Sequence, residues 1–345
     1  MEEHKFDKLK HITLKNDNTQ FCLSNNLGIF NFRLDTMDIV SSSELGEIEK
    51  AYLYETNQVV FFGSKGNTKY PPDKIVFYNL EYDDEILSQN FENDIKNFKF
   101  LDDILIISFD KELKVYLLEG SNLVEKFTEY ISSSHILEAW TNLDNDKNVE
   151  KLYISSVNDM DVIIFCRSPQ NEWKLDTKIT IKFTYSKVQN IFYIKKLNSI
   201  FVIDEKGNYL YEYAIDSTTP KKYYYRGYNP TKITSITLLN NNYLAVNSIN
   251  RTIHIFNLND ERFYVFNLLN FFSEVNTIPR WMKIPYSELK GDTLFQSDFE
   301  ENGAILVGNE ENDELTAIAF NGFAYKLKLD FEQKTYKILM EKKFV

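Results

Sequence analysis

The chain has 345 residues, 43% of them hydrophobic and 26% charged, and 39 Lys and Arg against 51 Asp and Glu leave a formal charge of −12. This composition excludes wholesale disorder, and the length is ample for a large buried core. An acidic chain with six arginines is not expected to bind nucleic acid. The longest apolar runs, Val59–Phe62 and Val162–Cys166, are far shorter than the ~20 residues of a spanning helix. Residues 1–5 are polar and acidic, unlike a secretory or mitochondrial leader. Cys22 and Cys166 are too few for a disulfide framework and point to a reducing compartment, so a cytosolic chain is expected.

Aromatic residues make up 15% of the chain, Gly is scarce at 11, and there are 35 Asn. Asn tolerates left-handed backbone, so it is expected at many tight turns. Apolar and polar residues alternate along most of the sequence and helical stripes are hard to find, which predicts an all-β chain. One unit recurs seven times: an alternating strand, a turn, a short apolar middle strand, a polar turn, and a partner strand rich in Ile, Val or aromatics. In chain order the middle strands are predicted at Phe21–Ser24, Val59–Phe62, Ile104–Ile107, Leu152–Ser155, Ile200–Ile203, Tyr243–Val246 and Ala304–Val307. Their partners are Ile29–Phe32, Ile75–Tyr78, Leu113–Tyr116, Val162–Phe165, Tyr209–Glu212, Ile253–Phe256 and Phe323–Lys326. Successive partners start 46, 38, 49, 47, 44 and 70 residues apart. The first five intervals fit the ~40–50 residues of a four-stranded propeller blade. The sixth is too long and predicts an insertion before the last repeat. A β-sandwich pair or an open array does not explain seven equal units. The expected fold is therefore a seven-bladed, WD-repeat-like β-propeller of four-stranded antiparallel blades, one domain over residues 8–345.

The insertion, expected over 257–280 in the sixth blade, contains Arg262-Phe-Tyr-Val-Phe-Asn-Leu-Leu-Asn-Phe-Phe272, eight of whose eleven residues are apolar or aromatic. Two readings are open. Part of it forms the outer strand of the blade, or Phe263, Tyr264, Val265, Phe266, Leu268, Leu269, Phe271 and Phe272 form a protruding loop that dips into a bilayer. At about 25 cal/mol per Å² of buried apolar surface, four or five such side chains supply several kcal/mol. One shallow hydrophobic contact seldom anchors stably without a second, headgroup-directed signal. Such a signal is offered by Lys221-Lys-Tyr-Tyr-Tyr-Arg226-Gly227, between the fifth and sixth repeats. A guanidinium can grip a phosphate with two parallel hydrogen bonds, and a neighbouring Gly lets the backbone approach. A solvated basic turn is the other reading of the same residues.

Tyr224-Tyr-Arg-Gly227, followed by Ile233-Thr-Ser-Ile-Thr, Leu244-Ala-Val-Asn-Ser248 and Thr252-Ile-His-Ile-Phe256, resembles the signature of the PROPPIN family. PROPPINs are seven-bladed propellers that bind polyphosphoinositides. A second patch, Gly63-Ser-Lys-Gly-Asn-Thr-Lys-Tyr-Pro-Pro-Asp-Lys74, is similar to a segment of the branch that includes the shorter human WIPI proteins. Asp204-Glu-Lys-Gly207 matches a family turn in the fifth blade. The resemblance runs from about residue 10 to the C-terminus, with the middle blade (130–180) matching by repeat pattern alone.

It implies a non-enzymatic peripheral protein that binds phosphatidylinositol 3-phosphate or the 3,5-bisphosphate at shallow rim sites and inserts a hydrophobic sixth-blade loop. It also implies a role in autophagy or endolysosomal traffic, with a lipid-transfer protein or another protein as partner. The place of action would be cytoplasmic, peripherally on autophagic, endosomal or vacuolar membranes. On this resemblance the sixth-blade site comprises Arg226, Gly227, Ser248, Thr252 and His254, with Arg251 adding a charge where the family has Gly. The fifth-blade site departs from the pattern: Tyr225 replaces the first signature Arg, Asp204 a small hydroxylic residue, Asn208 a Thr and Glu212 an Arg. A carboxylate pair where a phosphate should sit repels it, and no guanidinium replaces the lost one, so this second site is expected to be lost or weakened. Loss of both sites would leave a propeller scaffold that recruits a protein partner.

Lys65, Lys69, Lys74, Lys206, Lys221 and Lys222 are candidates for a local basic patch, or simply solvated loop lysines. Acidic runs at 81–85, 298–301 and 310–314 read as solvated turns. The four His (His4, His11, His135, His254) are scattered, and no metal site, cofactor or catalytic motif is expected.

Overall fold

The computed structural model describes residues 9–15, 17–131, 133–144, 149–158, 161–168, 172–183, 186–249, 252–259, 277–279, 282–285, 304–309, 312–320, 322–333 and 335–343. Each blade is built from consecutive strands. The first sheet holds β1 (Leu9–Leu14), β2 (Gln20–Asn25), β3 (Ile29–Arg33) and β4 (Ile39–Ser43); the second holds β5 (Ile48–Leu53), β6 (Gln58–Gly63), β7 (Lys74–Asn79) and β8 (Asp84–Asn90). The third comprises β9 (Asn97–Leu101), β10 (Ile104–Ser108), β11 (Glu112–Glu119) and β12 (Asn122–Tyr130). The fourth comprises β13 (Ser133–Asp144), β14 (Val149–Asn158), β15 (Asp161–Arg167) and β16 (Leu175–Lys182). In the fifth are β17 (Val188–Ile194), β18 (Ser199–Asp204), β19 (Tyr209–Ala214) and β20 (Pro220–Tyr225). The sixth takes β21 (Ile233–Leu239), β22 (Tyr243–Ser248) and β23 (Thr252–Asn257), and the short β24 (Thr277–Pro279) precedes its last strand, β25 (Met282–Pro285). The seventh has β26 (Ala304–Gly308), β27 (Glu314–Ala319), β28 (Phe323–Asp330) and β29 (Thr335–Lys343). This is the seven-bladed β-propeller expected from the repeat, and the described residues contain no α-helix.

Contacts divide the chain into two compact units, one over 1–158 and 164–178 and one over 159–163 and 179–343. In the first unit, β6 and β10 are buried along nearly their whole length because a neighbouring blade covers each face. Val59, Phe61, Val76 and Tyr78 pack with Ile29 and Cys22 of the first blade. Val60, Phe62, Ile75 and Phe77 face the other way and pack with Phe98, Phe100 and Leu105 of the third. This two-sided burial explains why the middle strands read as continuous apolar runs. In the second unit the same logic joins Phe201, Ile203 and Tyr224 to Leu244, Val246 and Phe256, and Ile253 and Ile255 to Leu306, Leu315 and Ala317.

Two details differ from expectation. In the seventh blade, Ala304–Val307 belongs to the first strand, and the middle strand is Glu314–Ala319. Ala304–Gly308 is as apolar as a middle strand because it packs against β21 of the sixth blade. Second, the outer strand of the sixth blade is Met282–Pro285, antiparallel to Thr252–Ile255. The stretch Phe263–Phe272 lies outside the described residues, as does Arg251. Within the predicted insertion, Thr277–Pro279 runs parallel to Tyr223–Tyr225 as a fifth strand of the fifth sheet. Asn does serve the turns. Asn18, Asn198, Asn240 and Asn241 have left-handed backbone, and the Asn25, Asn67 and Asn79 side chains each accept two backbone N–H bonds across a turn.

Candidate functional site

The signature residues gather in the second unit, where the fifth blade hands over to the sixth. The turn after β18 is closed by Gly207 N–H donating to the Asp204 carbonyl at 2.8 Å, and Tyr209 N–H donates to Asp204 Oδ1 at 2.8 Å. Gly207 has φ +64°, and a Cβ there would collide with the Thr231 carbonyl, so only Gly fits. The loop leaving β20 lies on this turn: Arg226 N–H donates to the Asn208 carbonyl at 2.8 Å and Thr231 N–H to the Lys206 carbonyl at 2.9 Å. Gly227 has φ +143° with open space around it, so its requirement is backbone freedom alone.

Arg226 is 5% exposed. Its Nε donates to the Gly207 carbonyl at 2.6 Å and its Nη2 to the Asn229 carbonyl, which ties the loop to the turn. The guanidinium also favours the charged form of Asp204. Burial outweighs it, and the Asp204 carboxyl titrates above the ordinary range.

The neighbouring hairpin of the sixth blade aligns the other three expected residues. The hydroxyls of Ser248 and Thr252 lie 2.8 Å apart, and the Thr252 hydroxyl lies 2.9 Å from His254 Nε2. Ser248 and Thr252 face each other across the β22–β23 ladder, and Thr252 and His254 share a face two residues apart. All three are buried. The hairpin meets the Arg226 loop where Ile249 N–H donates to the Lys232 carbonyl at 3.0 Å and Ile233 pairs with Ser248.

The four fifth-blade departures separate. Asp204, Asn208 and Tyr225 stay together at the turn. Glu212 sits farther along β19, opposite Phe201, and its carboxylate accepts from Ser199 Oγ at 2.9 Å and Tyr224 Oη at 2.5 Å inside the blade. Burial and this carboxylate both push the Tyr224 phenol upward. The Tyr225 ring contacts Tyr209 and Tyr228, with centroids 4.9 and 5.4 Å away, and Tyr228 is 76% exposed. Of the candidate lysines, Lys222 Nζ donates to the Leu258 carbonyl at 3.0 Å and Lys221 Nζ to Ser199 Oγ at 3.2 Å, while Lys206 is exposed on the turn.

Sequence reading missed Gln189. Its Nε2 donates to the Thr231 carbonyl at 2.8 Å and the Glu205 carbonyl at 3.1 Å, and its Oε1 accepts from Ile233 N–H at 2.7 Å. One side chain thus joins the turn, the loop and the first strand of the next blade. A polar residue in an alternating strand carries no signal of such a role.

No family model matches the chain, and no curated protein matches it in sequence. Solved structures match in fold. Hsv2 of Kluyveromyces lactis superposes with TM-score 0.74 at 13% identity, covering 98% of this chain and 99% of that one. Kluyveromyces marxianus Hsv2 gives 0.73 at 12% identity with the same coverage. KlAtg21, solved in complex with the coiled coil of AgAtg16, gives 0.71 at 15% identity, covering 98% of this chain and 100% of that one. Hsv2 and Atg21 are PROPPINs, so the resemblance in the motifs extends to the whole fold.

Proposed function

We propose that this chain is a non-enzymatic, PROPPIN-like peripheral membrane protein that docks on bilayers bearing phosphatidylinositol 3-phosphate or the 3,5-bisphosphate. Its place of action is on autophagic, endosomal or vacuolar membranes. The observation that supports this reading is the continuous Ser248–Thr252–His254 chain beside the loop carrying Arg226. Two hydroxyls and an imidazole, beside a loop that carries a guanidinium, match the acceptor oxygens of a phosphomonoester. Arg226 engages the phosphate by exchanging a loop carbonyl for a charged acceptor that a guanidinium can bind with two parallel hydrogen bonds. Gly227 lets the loop move, Arg251 adds charge, and Phe263–Phe272 supply the hydrophobic contact that one headgroup needs for stable docking. The solved Atg21 complex with a coiled coil supports a protein partner as well.

The commitment of Arg226 to two carbonyls favours a second reading, a scaffold that has lost headgroup binding and only recruits a protein. Liposome flotation separates the two. Membrane docking predicts retention on vesicles with phosphatidylinositol 3-phosphate and little without it, reduced at least tenfold by Arg226→Ala and by Thr252→Val. Retention equal in both vesicle types, or unchanged in both variants, removes the headgroup reading. A partner pull-down that succeeds while flotation fails selects the scaffold.

A further inference from the structure

The first strands of the first unit gather charged side chains that the proposed function does not use. β1 packs beside β5, β5 beside β9, and β9 beside β13. His11, Lys50 and Glu138 each follow a ladder irregularity at the start of its strand, between Leu9 and His11, Ile48 and Lys50, and Ser133 and Glu138. Such bulges re-aim side chains. Lys50 Nζ donates to Asn97 Oδ1 at 2.5 Å, and Lys99 Nζ lies 2.9 Å from Glu138 Oε1. Lys99 therefore has a carboxylate partner, whereas Lys50 bonds an amide oxygen. Glu49 on β5 and Glu47 just before it both hold Lys10 at 2.6 Å.

We propose that His11, Lys50 and Lys99 form a binding site for a small tetrahedral oxyanion such as inorganic phosphate. Two further observations lead there. Among the described residues His11 Nδ1 and Ser24 Oγ have no hydrogen-bond partner, Ser24 is fully buried, and the two residues face each other across the β1–β2 ladder. Buried polar groups are ordinarily hydrogen-bonded, and these two lie on one face with hydrogen-bonding capacity to spare. Moreover, His11, Lys50, Lys99 and Glu138 are all half-buried rather than sealed in the core.

The electrostatics agree. Burial, then Lys99, depresses the Lys50 ammonium to about 7, and burial with both lysines drives the His11 imidazole well below its usual value. A bound anion would reverse both. The charges are not needed to join blades. At corresponding places in the second unit, neutral Asn190 and Ser235 donate to the carbonyls of Ile233 and Ala304 on the next first strand. In the first unit, Thr13 does the same to Ala51 at 2.7 Å.

The test is titration of the whole protein, with 13C-labelled histidine, by inorganic phosphate at constant ionic strength set with chloride. His11 is assigned from His11→Gln. The expected result is a saturable shift of the His11 resonance that persists in His254→Gln, together with a phosphate-dependent rise in melting temperature that Lys50→Met reduces severalfold. A shift confined to His254 would place phosphate at the headgroup site only and overturn the proposal. No saturation at His11, or an equal response to chloride, would overturn it too. Should Lys50→Met fail to fold, the wild-type His11 titration decides alone.

Discussion

Glu212 stands where the PROPPIN pattern has an arginine, yet it is held inside the fifth blade by the hydroxyls of Ser199 and Tyr224. Placing an arginine there would bury a guanidinium beside two groups that had been donating to a carboxylate. Glu212→Arg is expected to cost about 3–5 kcal/mol, the usual penalty for an uncompensated buried charge. Tyr225 is different: it is half-buried, with its ring against the exposed Tyr228. Tyr225→Arg should cost no more than about 1 kcal/mol and should increase flotation on phosphoinositide vesicles by supplying the missing signature cation. Urea midpoints and flotation of the two variants check both halves. Equal destabilisation, or no gain in binding from Tyr225→Arg, would show that the fifth-blade site was not limited by this residue.

At the scale of elements, the turn at 204–208 and the loop at 226–232 behave as one piece, joined by Arg226, Gln189 and the close approach of Gly207 to Thr231. Gly207→Ala forces a left-handed residue and a clash with a carbonyl, so it should destabilise by about 1–3 kcal/mol and weaken vesicle binding at the adjacent hairpin. Unchanged binding with lowered stability would separate the loop from the site. Strands were readable from sequence because two neighbouring blades bury each middle strand, leaving apolar runs such as Val59–Phe62. The same signal misled in the seventh blade, where a first strand packed on β21 is equally apolar. Of the candidate site, Ser248, Thr252 and His254 were legible only through the resemblance of their motif to the PROPPIN signature, and the hairpin register lines them up. Gln189, the burial of Arg226 and the inward seat of Glu212 were not, since each depends on contacts between elements distant in sequence.

For the whole molecule, the buried ionisable groups shape stability against pH. Lys50 titrates near 7 in the fold against an ordinary 10.5, so between those values the unfolded chain holds a proton that the folded chain lacks. Stability then rises with pH across that window. His11, depressed below 6.5, acts in the same direction on the acid side, and Asp17, lowered to about 2, does so only in strong acid. Asp204, raised, opposes them just above the ordinary carboxylate range. The alkaline limit comes from tyrosines. Burial raises Tyr52, Tyr54, Tyr116 and Tyr224, so stability is lost once tyrosines in the unfolded chain ionise, near pH 10. The stability maximum is therefore expected at about pH 9–10, above the pH 5–8 typical of proteins. Urea midpoints measured from pH 6 to 10 should climb between 7 and 10, and Lys50→Met should flatten the climb. An anion seated beside Lys50 raises its proton affinity toward the unfolded value, so inorganic phosphate should flatten it as well. A flat wild-type profile would remove the depressed lysine, whereas a climb that phosphate leaves untouched would keep the lysine and remove its anion.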